Sequence, residues 1–597
     1  MRKLTVAVLF FAAACVLAAC GKMTGSSRAR PGDGAVIFQA TIITMDPARP
    51  SAGAVAVKDG KILAVGDVND LVEAYSGARV DEIFLRKTIL PGFIDPHIHM
   101  TLSSLMYATA MAPPWPVAGA NAAIEGYPDR ASFLQRLIEL DARAPLGESG
   151  AAPLVVYGFH NLVHGELTRA DLDAVTTARP LIVWHYSGHD FYLNSKAIEW
   201  ANITGDLHAK FEGVDIDENG EPTGRVFEDA APYLMQTLGP ILLDPARVSE
   251  GLVRLSQLLR SGGVTTVADL GYGLFGLAFE NANISRDWVS PDHSGYRLYL
   301  VPESRAFESA FGADRVQAIL DMASGKISAP APVLKQVKFF TDGAFYSQTM
   351  RLSDPGYLEG GAKGTKGLWV LKPGEIAETI RPYWDGGLGV HIHSNGDEAQ
   401  DATLDALETL RARAQSTQKS INSRSADARF VIEHAGLFSP DQVERAGALD
   451  ATISAASHYV FYLGEAFQGA LGETRGRWIT PLASLSAAGM RVALHSDAPL
   501  APPSPLRAAS AHLTRATREG GVLTPSERLS PAEALEAITI DAAYALGLEN
   551  EIGSIAPGKR ADFTILNSNP LATAGENWGA IGVWGVVLGG EKRPLAQ

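Results

Sequence analysis

Residues 91–100 read Pro-Gly-Phe-Ile-Asp-Pro-His-Ile-His-Met, and His97 and His99 close a short apolar run within them. A brief apolar run bounded by Pro-Gly has the pattern of a strand buried on both faces. Alternation along a strand points residues two apart the same way, so His97 and His99 share a face. Asp95 lies on that face as well, placed to orient a ligand through a hydrogen bond. Three positions of the same chemical type follow downstream, each at the end of a similar run: His393 in VHIHSNGD (390–397), His434 in FVIEHAG (430–436) and Asp497 in ALHSDAP (493–499). Neutral imidazoles and a carboxylate suit Zn²⁺, and a catalytic zinc site leaves one coordination position open for water. The same donors admit Mn²⁺, Fe²⁺ or Co²⁺.

The chain has 597 residues, 46% of them hydrophobic, which is enough for two or more structural units and a large core. Its net charge of −15 argues against nucleic acid as a partner, because phosphate binding needs a basic face. Residues 1–20 have the layout of a targeting segment: Arg2 and Lys3, then an apolar stretch from Leu4 to Leu17, then Leu17-Ala18-Ala19-Cys20-Gly21. That ending resembles a bacterial lipobox, which implies lipidation of Cys20 and anchoring in the cell envelope, facing the periplasm, with the outer membrane favoured. Apart from this lipid no membrane contact is expected, since no apolar run long enough to span follows. Cys15 and Cys20 are the chain's two cysteines, so thiol ligands and disulfides are excluded from the mature fold.

Residues 21–34 are rich in Gly, Ser and Arg and read as a flexible tether. Alternating segments follow over 35–90, with an Asp59-Gly60 hairpin cue, and a matching β-rich pattern returns over 546–597. The two ends therefore predict one small β-sandwich domain. Between them, 91–545 alternates apolar runs (PLVVYGF, PLIVWHY, VTTVADL, LGVHIH, RFVIEH) with amphipathic stretches such as 130–144 and 244–263. This predicts an α/β fold of the TIM-type (β/α)8 barrel class, with its chemistry where strands end. The polar stretch 413–428 reads as an exposed loop.

The PGFIDPHIHM segment, with HSNGD, IEHAG, HSDAP and IGSIAPGKRADFTIL following in order, resembles the amidohydrolase superfamily over nearly the whole chain. Further segments resemble its YtcJ-like branch, which includes N-substituted formamide deformylases: GHDFYLNSKA, GEPTGRVFED, GVTTVADLG, KFFTDGAFYSQTM and SHYVFYLG. The resemblance implies His393, His434 and Asp497 on the fifth, sixth and eighth barrel strands. It implies a carboxylated, metal-bridging lysine at Lys338, with Lys335 the weaker choice. It makes His393 rather than His391 the ligand, with His391 lining the barrel below the site and His495 supporting Asp497. It gives His189 and His458 a substrate-polarising role and makes Glu228 a matched acid without an assigned one. Tyr346 and Ser347, which follow DGAF, are expected to touch substrate. His160, His164, His185, His208, His293 and His512 carry no signal.

The expected function is metal-dependent hydrolysis of a non-peptide amide bond in a small molecule. One or two metal ions would be held by His97, His99, Lys338, His393, His434 and Asp497. Asp497 would act as general base and then acid, because an amine leaves a tetrahedral intermediate poorly without a proton. Two alternatives stand beside this: hydrolysis of another carbonyl or ester bond on the same scaffold, and a non-catalytic periplasmic solute-binding lipoprotein. The oligomeric state stays open, a homo-oligomer included.

Overall fold

The computed structural model describes residues 32–117, 124–145, 152–284, 294–416 and 429–595. The targeting segment with Cys20, most of the tether, His293 and most of the polar stretch 413–428 lie outside the described residues.

Eight parallel strands carry the site. In chain order they are Phe93–Ile98, Val264–Tyr272, Arg297–Pro302, Gln336–Phe340, Gly389–Ser394, Phe430–His434, Thr452–Ala456 and Val492–His495. The first three form one sheet and the last five another. At one seam, parallel bridges join Leu300 to Val333 and Glu303 to Lys338. At the other, Ile98 bridges Ala498, the Asp497 N–H donates to the His97 carbonyl at 3.1 Å, and the His99 N–H donates to Ala498 at 3.0 Å. Most of these strands are buried along their whole length, as helix-covered parallel strands must be.

The two ends of the chain build an eight-stranded sheet. Thr88–Pro91 is its joint, pairing parallel to Val36–Ile43 and antiparallel to Phe563–Leu566. The hydrogen bonding therefore runs as one sheet, in which the strands of both chain ends that the sequence assigned to a β-sandwich domain are joined. The Ala561 N–H reaches the Gly60 carbonyl and the Gly590 N–H reaches Ala561, both at 2.9 Å. Phe38, Val55, Ile89, Phe563 and Val587 share its core. Asp59 and Gly60 both take positive φ, which is the type I′ turn that the sequence cue called for.

One correction concerns PLVVYGF and PLIVWHY. Their strands, Leu154–Phe159 and Leu181–His185, are not among the eight but lie in a six-stranded mixed sheet inserted after the first. They pair with each other in parallel, and the sheet then turns antiparallel through Asp190–Leu193, Pro222–Phe227 and Val214–Ile216. Among the described residues, no helix is long and apolar enough to cross a membrane.

Candidate metal centre and active site

Strand ends bring the candidate ligands to one place. Asp497 Oδ1 lies 3.3 Å from His99 Nε2 and 3.6 Å from His97 Nε2, and Oδ2 lies 3.6 Å from His434 Nδ1. His434 and Asp497 both sit at positive φ, 73° and 53°. Such backbone costs about 1–3 kcal/mol per residue and collects at functional sites. Two sets of three donors, His97/His99/Asp497 and His97/His434/His495, have atoms within 4.8 Å of one another.

The donor chemistry fits a cation. His97 Nε2, His434 Nδ1 and Asp497 Oδ1 are all buried without a hydrogen-bond partner. Orphaned groups of this kind cost about 1–3 kcal/mol each unless something binds there. Burial holds His97 and His434 well below the usual imidazole range, which leaves them neutral and able to ligate. Burial alone would raise Asp497, but the surrounding histidine cluster, with His99 Nε2 in hydrogen-bonding reach at 3.3 Å, holds it well below the ordinary carboxylate range. Asp497 is therefore ionised, as a ligand or a base must be.

His393 stands beside this group and not within it. Its ring centroid is 4.5 Å from that of His434, and its Nε2 is 3.1 Å from the Gly343 carbonyl. Lys338 sits in the middle of the fourth strand, fully buried, while Lys335, just before the strand, is exposed. Desolvation brings the Lys338 amine down to about 8, against the opposing pull of Glu433, Asp497 and Glu303.

The remaining sequence candidates fall into two groups. His189 Nδ1 is 3.1 Å from Glu228 Oε2, and Thr349 Oγ1 donates to Glu228 Oε1 at 3.1 Å. Ser347 Oγ is 2.9 Å from the same threonine hydroxyl, so Ser347 belongs to this network. Burial would lower His189, but the Glu228 carboxylate overrides it and raises the imidazole to about 8. His458 has both ring nitrogens buried without a partner and is pushed down to about 3 by burial. It stacks on Tyr346 at 5.3 Å, and the Tyr346 hydroxyl also lacks a partner.

Asp95, expected to orient a ligand through a hydrogen bond, reaches toward Asp497 rather than toward the histidine pair. Its carboxylate accepts from the Ser496 N–H at 3.0 Å and hydroxyl at 2.6 Å, so it fixes the turn that presents Asp497. His495, two residues before Asp497, stacks its ring on that of His97 at 4.5 Å. Sequence reasoning missed Glu433, which receives His97 Nδ1 at 2.8 Å and His391 Nδ1 at 2.5 Å. The readable signal was a glutamate inside the apolar run FVIEH, since a charge within a buried strand needs partners.

The amidohydrolase family model matches residues 87–592. The chain belongs to the amidohydrolase family. Among this amidohydrolase's curated relatives, Protein LONG AFTER FAR-RED 3 of Arabidopsis thaliana is 28% identical over 89% of this chain and 87% of its own. The N-substituted formamide deformylase of Arthrobacter pascens is 26% identical over 90% and 94%, and the putative amidohydrolase YtcJ of Bacillus subtilis is 26% identical over 87% and 91%. These relatives place it in the YtcJ-like branch. In fold, it is similar to an uncharacterized metal-dependent hydrolase from Pyrococcus horikoshii, with a TM-score of 0.63, 21% identity and coverage of 91% and 99%. The amidohydrolase is thus a mixed α/β hydrolase acting on carbon–nitrogen bonds other than peptide bonds.

Proposed function

We propose that this protein cleaves the amide bond of a small molecule with a metal-activated water, at the mouth of a single (β/α)8 barrel made by the eight parallel strands. The bridges at both seams support the barrel reading. The convergence of His97, His99 and His434 on the carboxylate of Asp497 carries the functional one. Zn²⁺ is the metal that this donor set favours, and His97, His99, His434 and Asp497 would hold it. His393 and a carboxylated Lys338 would complete a second position. A bound cation would supply Lewis acidity and lower the pKa of water from about 15.7 to about 7.

The chain's own groups do the rest. Asp497 is ionised and positioned to take the proton of the attacking water and return it to the leaving nitrogen. His189, protonated below about 8, donates to the developing oxyanion, and Glu228 holds it in place. Tyr346 and His458 offer buried polar atoms to the substrate, and the Ser347 hydroxyl lies within the His189 network. Because His189 acts in its charged form, kcat/KM should fall as pH rises through about 8. The same limb should vanish in His189→Gln, with turnover down about tenfold or more; a wild-type profile flat past pH 9 would remove His189 from the reaction.

Hydrolysis is tested by loading purified protein with zinc, measuring metal stoichiometry, and assaying a panel of N-acyl amides and N-acyl amino acids. Stoichiometric metal with amide cleavage supports the reading. Ester cleavage alone, or a metal-free protein that binds solutes without turnover, replaces it with another reading. The anchor is a separate part of the proposal: Cys20 is lipidated and holds the enzyme to the envelope on the periplasmic side. Labelled palmitate should enter the wild-type chain and be absent from Cys20→Ser; equal labelling of both would refute it.

A further inference from the structure

Glu433 is fully buried on the sixth strand, directly before His434. A carboxylate can only accept hydrogen bonds when ionised. Its two oxygens are each taken by a different imidazole, Oε2 by His97 Nδ1 at 2.8 Å and Oε1 by His391 Nδ1 at 2.5 Å. Both imidazoles must therefore carry their proton on Nδ1. For His97 this leaves a lone pair on Nε2, which faces Asp497 Oδ1 at 3.6 Å. Two acceptors then point at each other across a buried gap, an arrangement that a cation between them relieves. His391 Nε2 has no partner and belongs to neither compact donor set. Its visible contact is with the carboxylate, which it steadies from the far side.

We infer that Glu433 is a positioning residue that fixes His97 as an Nε2 metal ligand, with His391 as the second anchor of its carboxylate. The inference rests on the metal-centre reading above. Carboxylates that hold a ligating histidine by its other nitrogen typically change metal affinity or activity 10–100-fold when removed. Glu433 touches no reacting atom, so its effect reaches the site through the His97 ring.

The first test uses the wild-type, metal-free full chain labelled with ¹⁵N-histidine, with His97 assigned by loss of its signals in His97→Gln. The expected result is one tautomer, protonated at Nδ1 and bare at Nε2. A proton on Nε2 overturns the inference without any Glu433 variant. The second test is zinc affinity by competition with a chelator. Glu433→Met keeps the volume and removes both acceptors, and it should bind zinc about 10–100-fold more weakly, with mixed His97 tautomers. A folded Glu433→Met that binds zinc within about twofold of wild type overturns the inference. Failure of the wild type itself to bind zinc would sink the metal-centre reading instead, so the two failures are distinct.

Discussion

Asp497→Asn should still take up zinc, though more weakly because a neutral amide oxygen replaces a carboxylate, and at saturating zinc it should lose about 10²–10⁴-fold in turnover, the usual contribution of a positioned proton-transfer group. Asparagine keeps an oxygen for the cation but has no basic oxygen to receive a proton. It also tolerates the left-handed backbone at 497, where φ is 53°, so the turn should be undisturbed. The brace from Asp95 to Ser496 does not involve the 497 side chain and stays in place. The check is a paired measurement of zinc stoichiometry and kcat. Loss of zinc together with activity would make Asp497 chiefly a ligand; near-normal turnover would remove it from the chemistry.

The second large effect is expected at His99. Its side chain keeps 16% exposure, the most open of the compact donors, so truncation should cost little stability. Apparent energies of about 10–16 kcal/mol for zinc sites, shared over four ligands, give about 3 kcal/mol for one imidazole. His99→Ala should therefore weaken zinc binding roughly a hundredfold. Activity should collapse at limiting zinc and return in part at high zinc, while thermal unfolding of the metal-free protein moves by only a few degrees. Affinity unchanged from wild type would exclude His99 as a ligand.

The residues that converge at the candidate site were legible in sequence because each lies at or just after the end of its own short run. An imidazole or carboxylate closing an apolar strand is a local signal, and local signals survive without knowledge of pairing. The partners of a strand are not local. PLVVYGF and PLIVWHY are buried on both faces, as the eight parallel strands are, so nothing within them says which sheet they join. Asp95 shows the same limit at the scale of one side chain. Its carboxylate hydrogen bonds go to Ser496, in the turn after the eighth strand, 401 residues along the chain. Glu433 was hidden because its partners, His97 and His391, come from two other strands.

The inserted sheet brings His189 near the site, and the turn after the fourth strand brings Thr349 to Glu228. The charged His189 and the neutral His458 thus come from segments far apart in sequence. Burial pushes both down, and only His189 has a carboxylate in contact to reverse the shift. Two histidines of similar sequence appearance are therefore shifted in opposite directions by their surroundings.

Anomalous diffraction at the zinc edge, from crystals of zinc-loaded full-length protein, tests the central claim most directly. The account predicts a peak about 2.0–2.2 Å from the imidazole nitrogens of His97, His99 and His434 and from an Asp497 oxygen. A zinc peak bound elsewhere, with those four side chains uncoordinated, would contradict it.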